Sequence, residues 1–475
     1  MTRYLVGIDN GSQSTKVTIF DERGAVVSHG RQALRPSSTP RPGVVEHPDD
    51  DLWSSIGAAC RTAMAGFPGD PRDIAGVGLC TIRFCRALLR ADGSLARPVL
   101  SWMDERVSRP YEHEDDSVAY VTTSSGYLTH RLTGEFRDTA ANYQGVWPIN
   151  TDTWQWSQDP AAHRETGLPP DMLFELVMPG ETLGRLTPAA AEHTGLPGGL
   201  PVVATANDKA VEALGCGLRD PDTLLISLGT YITSMTTGER NITGADRFWT
   251  NFACEPHRYL YESGGIRRGM WTVSWLRDLL GEEVTGRARE AGLGVEEYLD
   301  AEASRVPPGC DGLMAVLDWL APVDAPYRKG AFLGFDGRQG RFHLYRAVLE
   351  AIALTMHEHA TAMAGELGTD FERVLVSGGG AGSEVMMGIV ADVFGTAAGR
   401  PAVNNAAGLG AALIAGVGLG RFSDVDEATR AMVSINAEFR PTPANQQLYA
   451  RQREVHRDIT RHTDEIFRRS ASIFG

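Results

Sequence analysis

The sequence predicts an α/β protein with two large domains, and three observations lead to this class. The chain has 475 residues, 42% of them hydrophobic, which is more than one ordinary core accommodates. Apolar strand patterns alternate with helical patterns along most of its length. A unit made of an apolar strand, a turn of Gly and hydroxyl residues and a second strand occurs near the start of each half, which indicates an internal duplication.

The first of these units lies near the N-terminus. Residues 4–9 (YLVGID) and 17–20 (VTIF) have the pattern of two short strands, and the stretch GIDNGSQSTK covers residues 7–16 around the turn. It differs from the GxxxxGK[ST] phosphate loop, because Thr15 stands where a second Gly must precede the lysine. Since the turn joins two strands, no helix N-terminus is available to hold phosphate. A tight hairpin can instead direct its backbone N–H groups and hydroxyls at an anion.

The second unit begins the other half of the chain. Residues 223–228 (TLLISL) have a strand pattern, Gly229 and Thr230 form the predicted turn, and residues 231–235 (YITSM) continue as a second strand. Two such hairpins could clamp a polyphosphate from both sides. The alternative is that each is an ordinary hairpin with a Gly turn.

A third Gly-rich loop follows a strand pattern at residues 373–376. This loop, SGGGAGS, covers residues 377–383 and leads into a helical pattern at 384–394. Glycines allow a backbone to approach a flat ligand closely, although such a loop can also be a simple tight connection. Further segments predict helices, the last of them buried and packed through small residues: 51–65, 272–280, 344–367 and 406–420.

Composition and charge exclude several classes of partner. The formal net charge is −15 and no basic block occurs, which argues against nucleic acid as a partner. The six cysteines form no CxxC pair, so neither zinc nor a disulfide framework is expected. The start of the chain has no signal-peptide pattern, and the longest uncharged run, residues 406–420, is too short and glycine-rich to cross a bilayer. These features predict a soluble cytoplasmic protein with reduced thiols and no membrane partner.

Six motifs, in order along nearly the whole chain, resemble those of the FGGY carbohydrate kinases, which include glycerol kinase and xylulokinase and belong to the actin-like ATPase superfamily. The motifs are GIDNGSQSTK (7–16), ATANDKAVEALGCGL (204–218), SLGTYITSM (227–235), YESGGIRRGMWTVSWLRDLLG (261–281), RKGAFLGFDGRQGRFHLYRAVLEAIA (328–353) and SGGGAGSEVMMGIVADVFG (377–395). Each motif alone is a weak signal, whereas six of them in order are specific.

The resemblance implies a fold, two domains and a reaction. The fold would be two ribonuclease-H-like domains of the actin-like ATPase type with a central cleft. Residues 1–220 would carry the sugar site and the catalytic base, and residues 221–475 the nucleotide site. The expected reaction is the phosphorylation of a small sugar or polyol with ATP and Mg²⁺. A homodimer is a candidate assembly, because dimers are common in the family.

The candidate catalytic base is Asp208, which follows the apolar stretch at residues 201–204. By the resemblance it would accept the proton of the attacking hydroxyl. An Asp is a weak base at neutral pH, which suffices if the transition state is loose and the proton leaves late. Its position alone favours a helix N-cap, a role that can coexist with catalysis.

The resemblance also implies which residues hold the nucleotide and its metal. Asp9 would hold Mg²⁺ directly or through water, or be a turn residue that caps loop amides. Lys16 would counter phosphate charge, or be a solvated strand residue. Gly229 and Thr230 would grip the terminal phosphates. The remaining contacts would come from the first hairpin and from the third loop with its helix: Gly11, Ser12, Gln13, Ser14, Gly379, Gly380, Ala381 and Glu384.

The acceptor contacts would centre on Arg83 and Phe84, at the position where glycerol kinases have Arg-Glu and xylulokinases Met-His. Arg83 can donate to hydroxyls, while Phe84 offers an apolar wall. Trp102 would form a second wall, and Asp104 would pair with Arg106. Further hydroxyl contacts are expected from Asn207 and Lys209.

The chain departs from the family after Arg106. Only residues 107–119 precede the stretch that resumes the resemblance, and the lysine of the family's first signature is missing. Because this portion helps to wall the sugar pocket in the family, a more open pocket is expected, partly filled by Tyr143, Gln144 and Trp147. The best candidate acceptor is a ketopentose such as xylulose. The alternatives are a glycerol, tetritol or pentitol kinase, a non-catalytic sugar or nucleotide sensor, and an actin- or chaperone-like ATPase.

Overall fold

The computed structural model describes residues 3–322 and 324–474. Its first half contains twelve strands and five helices in the described residues. The strands are β1 (Tyr4–Asn10), β2 (Ser14–Asp21), β3 (Val26–Ala33), β4 (Ile74–Thr81), β5 (Arg86–Leu89), β6 (Tyr120–Thr123), β7 (Arg137–Thr139), β8 (Ile149–Asn150), β9 (Gln155–Trp156), β10 (Glu175–Val177), β11 (Thr182–Arg185) and β12 (Pro201–Ala204). The helices are α1 (Asp51–Ala65), α2 (Ser124–Thr133), α3 (Pro160–Thr166), α4 (Pro188–Thr194) and α5 (Asp208–Gly215).

The second half is richer in helix. Its strands are β13 (Thr223–Leu228), β14 (Ile232–Gly238), β15 (Phe248–Phe252), β16 (Tyr259–Ser263), β17 (Met314–Val316), β18 (Ala331–Leu333), β19 (Arg373–Ser377), β20 (Ala398–Pro401) and β21 (Ile435–Phe439). Its helices are α6 (Gly269–Glu290), α7 (Val295–Ala303), α8 (Arg341–Leu367), α9 (Glu384–Phe394), α10 (Ala406–Gly418), α11 (Val425–Met432) and α12 (Pro443–Phe474).

The two main sheets have the same plan, which confirms the predicted duplication. The first sheet has the strand order β3-β2-β1-β4-β12-β11, and the second has β16-β14-β13-β19-β20-β21 with β15 added beside β16. In each, a central strand pairs antiparallel with the strand after it and parallel with the next core strand: β1 with β2 and β4, β13 with β14 and β19. Both predicted Gly-hydroxyl turns are therefore β-hairpin turns at equivalent places.

The halves exchange one helix each across their boundary. Helix α5 follows β12 and packs onto the second sheet through Ala213, beside Leu225 and Leu375. Helix α10 follows β20 and packs against β1, β4 and α5. These layers approach so closely that only glycine fits. A Cβ at Gly7 would lie 1.9 Å from the Gly408 carbonyl oxygen, and one at Gly410 would lie 2.0 Å from that of Val211.

Most predicted helices occur where the pattern placed them. Helices α1 and α9 match the predicted spans 51–65 and 384–394, and α10 confirms the buried helix of small residues. Helix α6 is longer than the predicted 272–280, because it continues past a kink at Gly281, where φ is +76°. The six cysteines are all buried free thiols. No helix in the described part of the chain combines the length and apolar character needed to cross a membrane.

Candidate active site

The two Gly-hydroxyl hairpins meet at their turns. Gln13 donates from Nε2 to Oγ1 of Thr230 over 3.0 Å, which joins the first hairpin to the second. The turn of the second hairpin is also tied to the start of α6, since the carbonyls of Gly229 and Thr230 accept from the backbone N–H groups of Met270 and Gly269. The backbone and hydroxyl donors of both turns are therefore gathered at one place between the halves.

Two cations stand beside the first hairpin. The Lys16 ammonium lies 3.4 Å from Oδ2 of Asp9 on the facing strand. Arg31 lies directly opposite Lys16 in β3 and donates from Nε to the Ser14 hydroxyl over 3.3 Å. Arg31 was not predicted from the sequence. Pairing the third strand with the second in register would have placed it opposite Lys16. Together these cations place positive charge at the hairpin, which suits an anionic ligand.

Asp9 is buried beside Lys16. Its carboxyl is 6% exposed, and burial raises its pKa while Lys16 opposes the rise. No group of three or more His, Cys, Asp or Glu suited to a metal occurs among the described residues. A single carboxylate beside a phosphate turn fits Mg²⁺, which binds through few protein ligands and otherwise takes phosphate and water oxygens.

Asp208 is the first residue of α5, and it is not the N-cap. Asn207 occupies the cap position, where its Oδ1 accepts from the backbone N–H groups of Lys209 and Ala210, each over 3.1 Å. Oδ1 of Asp208 also accepts from the Lys209 N–H, over 3.0 Å, but the Ala210 N–H donates to Asn207. Burial raises its pKa and Asp9 adds to the rise, while Arg83 and Lys209 lower it.

Lys209 and Glu212 connect α5 to the second sheet. The Lys209 ammonium lies 2.9 Å from Oε2 of Glu212 and donates to the Ser227 hydroxyl of β13 over 2.7 Å. The other oxygen of Glu212 accepts from Ser227 and from Ser377 of β19. The Lys209 ammonium is engaged by these contacts, and Oδ1 of Asn207 is engaged by the cap. Both residues therefore stabilise the position of α5. Their contacts with an acceptor stay predictions.

Arg83 forms an ion pair that crosses between the halves. Its guanidinium binds Glu262 of β16 with both terminal nitrogens, over 2.6 and 2.8 Å. The Glu262 side chain has no exposure and that of Arg83 has 14%. Trp249 and Asn251 of β15 also donate to Oε2 of Glu262, over 3.1 and 3.0 Å. Sequence reasoning missed these three residues of the second half.

The Phe84 ring lies beside this pair, and Trp102 is a second exposed aromatic residue of the same half. Phe84 is 38% exposed and Trp102 45% exposed, and the Arg83 guanidinium lies 5.3 Å from the centre of the Phe84 ring. Phe84 has φ +64°, a strained backbone state for an aromatic residue that is typical of functional sites. Exposed aromatic rings beside a polar pair suit a ligand that has both carbon faces and hydroxyls.

The loops that carry Asp104 and residues 143–147 confirm some of the predicted contacts and contradict one. Asp104 pairs with Arg106 as predicted, with 2.8 Å between Oδ1 and Nε. Gln144 reaches the other half, where its Nε2 donates to the Thr250 carbonyl over 3.0 Å. Tyr143 is wholly buried and bonds to Thr122, so the suggestion that it walls the sugar pocket is wrong. Trp147 packs edge-on against it and is 9% exposed.

A cavity of about 880 Å³ lies in the second half beside the third Gly-rich loop. Its size is in the range of small-molecule sites. Ala381 is 4% exposed and lies outside the lining, so this residue of the loop turns away from the space. The lining includes the other predicted adenosine contacts and residues from α6, α7 and α8: Gly379, Gly380, Glu384, Met270, Asp300 and Tyr345.

Comparisons with known proteins agree with this arrangement. The N-terminal domain of the FGGY family of carbohydrate kinases matches residues 4–114 and 107–215, and the C-terminal domain of that family matches residues 224–419. An uncharacterized sugar kinase of Escherichia coli K12, YgcE, is 48% identical over 472 residues, which cover 99% of this chain and 96% of the relative. A glycerol kinase of Bordetella parapertussis is 26% identical, over 89% of this chain and 90% of the relative.

Solved structures extend the agreement to three dimensions. The crystal structure of a xylulose kinase from Rhodospirillum rubrum superposes with a TM-score of 0.83 at 26% identity, and the match covers 98% of this chain and all of that one. Together with the family matches, this confirms the predicted fold of two actin-like ATPase domains around a cleft. The chain therefore belongs to the FGGY family of carbohydrate kinases and is a phosphotransferase.

Proposed function

We propose that this kinase transfers the γ-phosphoryl group of ATP to a hydroxyl of a small sugar or polyol, with a ketopentose such as xylulose as the first candidate acceptor. The single observation that carries the proposal is the junction of Gln13 and Thr230, 3.0 Å apart. It lies at the turn of the hairpin that carries Asp9, and the charge of Asp9 reaches Asp208 and raises its pKa. Positioning and charge stabilisation are what phosphoryl transfer requires of a protein.

The nucleotide would lie along the second domain. Adenosine fits the cavity beside Gly379, Gly380 and Glu384. Met270 lines that cavity, and its backbone N–H donates to the carbonyl of Gly229, so the cavity lies beside the turn of the second hairpin. The phosphates would then run from the cavity to the two turns, where Gly11 to Ser14 and Thr230 donate and where Lys16 and Arg31 supply positive charge.

Mg²⁺ would be held by Asp9, directly or through water. The ion, when bound, neutralises phosphate charge. Lys16, 3.4 Å from Asp9, supports the same task from the other strand of the hairpin.

Asp208 would be the general base. Its carboxylate takes the proton of the acceptor hydroxyl while that oxygen attacks the γ-phosphorus, and ADP leaves. Burial raises the pKa of Asp208, which makes it a stronger base than an exposed Asp, although it must still be ionised to act. Asn207 caps α5, and the Lys209 N–H engages only Oδ1 of Asp208, so Oδ2 is the oxygen that would take the proton.

Arg83, Phe84 and Trp102 would receive the acceptor beside that base. The identity to the Rhodospirillum rubrum xylulose kinase favours a ketopentose. Glycerol, a tetritol or a pentitol is the second candidate, because the Arg of the Arg83-Phe84 pair is the residue that glycerol kinases have there. Asn207 and Lys209 stay secondary candidates for hydroxyl contacts.

The experiment is an ADP-release assay over glycerol, tetritols, pentitols and ketopentoses. We expect ADP release that depends on an acceptor and is fastest with a ketopentose. ADP release that no acceptor changes would favour an ATPase that serves a protein partner. ATP binding without any ADP release would favour the sensor alternative, which the presence of both Asp9 and Asp208 argues against.

We further propose that the protein works in the cytoplasm as a homodimer. Buried free thiols are consistent with a reducing compartment. Sedimentation velocity of the full chain tests the assembly, and a monomer at all concentrations would contradict it.

A further inference from the structure

The ion pair between Arg83 and Glu262 limits the chemistry of the acceptor. Among the described residues, Glu262 receives four hydrogen bonds, two from Arg83 and one each from Trp249 and Asn251. A carboxylate without any exposure that is satisfied in this way is costly to separate from its cation. Arg83 therefore presents a guanidinium that already has a carboxylate as its counter-ion.

The two lysines of the candidate site are engaged in the same way. Lys209 pairs with Glu212, and Lys16 pairs with Asp9. None of the ion pairs among residues 3–322 and 324–474 includes Asp208 itself. The acceptor would thus meet a negative carboxylate with no uncommitted cation paired to it.

Arg83 still has donors for neutral groups. A guanidinium has five N–H bonds, and three hydrogen bonds to Glu262 and Asn251 use the two terminal nitrogens. The Nε–H and one terminal N–H remain for hydroxyl or carbonyl oxygens. A carboxylate, by contrast, would have to displace Glu262 to obtain a full ion pair.

We propose that the acceptor is an uncharged polyhydroxyl compound and that Glu262, from the second domain, is the specificity residue that excludes sugar acids. This inference rests on the proposed function, since it assumes that the acceptor lies beside Arg83 and Asp208. Glu262 acts by fixing and neutralising Arg83, so it is a positioning residue.

The test compares matched pairs that differ only at one terminal carbon: xylitol against D-xylonate, and D-glucitol against D-gluconate. For the wild-type kinase we expect kcat/KM to be at least about tenfold lower for the acid of each pair. Glu262→Gln keeps the size of the side chain but leaves the Arg83 charge uncompensated. In this variant the ratio of acid to neutral kcat/KM should rise by about tenfold or more, a change of preference that simple loss of structure cannot produce.

Asp70→Asn is the matched control. Asp70 also binds an arginine with both oxygens, since Nε of Arg72 lies 3.1 Å from its Oδ1 and 3.0 Å from its Oδ2. It precedes β4 whereas Arg83 follows that strand, so its variant should keep the wild-type ratio. If thermal melting shows that Glu262→Gln does not fold, the inference is tested by the wild-type kcat/KM values for the polyol and the acid of each pair.

A wild-type enzyme that phosphorylates the acids as well as the neutral compounds overturns the inference while leaving the kinase function intact. A ratio that Glu262→Gln leaves unchanged also overturns it. If the polyols, the sugar acids, the ketoses and glycerol are all inert, the proposed function is wrong. This inference, which rests on it, is then wrong as well.

Discussion

Gln13 and Thr230, 217 positions apart in the chain, are joined by a hydrogen bond of 3.0 Å. Each side chain comes from the turn of a hairpin, and the two hairpins are equivalent in their sheets. The duplicated halves thus bring equivalent turns face to face. Two concave sets of N–H and hydroxyl donors that face each other can enclose an anion more fully than either turn alone.

Replacement of Thr230 by Val should weaken ATP binding without disturbing the fold. Val keeps the shape of Thr but removes the hydroxyl, and a hydrogen bond to a charged group contributes about 1.5–3 kcal/mol. We therefore expect KM for ATP to rise about tenfold or more. Thr396→Val, in the same domain with its hydroxyl bound to the Glu372 carbonyl, is the control and should keep the wild-type KM. Equal values for both variants would contradict the role of the second hairpin.

The pH profile of kcat/KM should report the environment of Asp208. Because burial raises its pKa, the base becomes protonated, and activity falls, at a higher pH than an ordinary Asp would give. The charge of Arg83 lowers the pKa of Asp208. In the residual activity of Arg83→Gln, the acid limb of the kcat/KM profile should therefore lie at higher pH than in the wild type. Arg185→Gln, at an exposed arginine of the same domain, should leave the limb in place. An acid limb that Arg83→Gln does not move would show that another group titrates.

Asp208→Asn should stabilise the folded protein at neutral pH. The pKa of Asp208 is raised in the folded state, so its contribution favours folding below the unfolded value and is lost as the pH rises through the folded value. Removal of the charge should raise the free energy of unfolding at pH 7 by about 0.5–2 kcal/mol. The gain should shrink on acidification, as seen by thermal melting. Asp370→Asn, at an exposed position, should show no gain, and a destabilised Asp208→Asn would refute the account.

The contact between α10 and α5 should not tolerate a methyl group. Gly410→Ala would place a Cβ 2.0 Å from the Val211 carbonyl oxygen, and overpacking of this kind costs about 1–3 kcal/mol. Gly365→Ala is the matched control, because it also lies in a helix but its Cβ would meet nothing within 4 Å. It should be neutral or stabilising by about 0.5–1 kcal/mol. Denaturant unfolding of both variants measures the difference, and equal stability would show that the halves do not pack as tightly as the structure indicates.

The repeated hairpins and the small-residue helix could be predicted because each is written locally. The alternation of apolar and polar residues around Gly7 and Gly229 predicts the two hairpins directly. The run of Gly and Ala at 406–418 is typical of a helix that packs closely against its neighbours. The sequence did not indicate that α5 and α10 exchange sheets, since that depends on which distant surfaces they cover. Contacts of this kind carry no local pattern.

The partner of Arg83 was not predicted for the same reason. Glu262 is 179 positions away in the other domain, and nothing near Arg83 in the chain points to it. One signal was available: Glu262 interrupts the apolar stretch Tyr259–Ser263, and a carboxylate in a buried strand requires a cation. That signal predicts that a partner exists but does not identify it.

The central claim is that Asp208 is the base of phosphoryl transfer at the junction of the two hairpins. The most direct measurement is the rate of acceptor-dependent ADP release by Asp208→Ala, together with its affinity for ATP by calorimetry. We expect the rate to fall by about 10²–10⁴-fold while the affinity for ATP stays within a few-fold of wild type. A variant that transfers phosphate at the wild-type rate would contradict the claim.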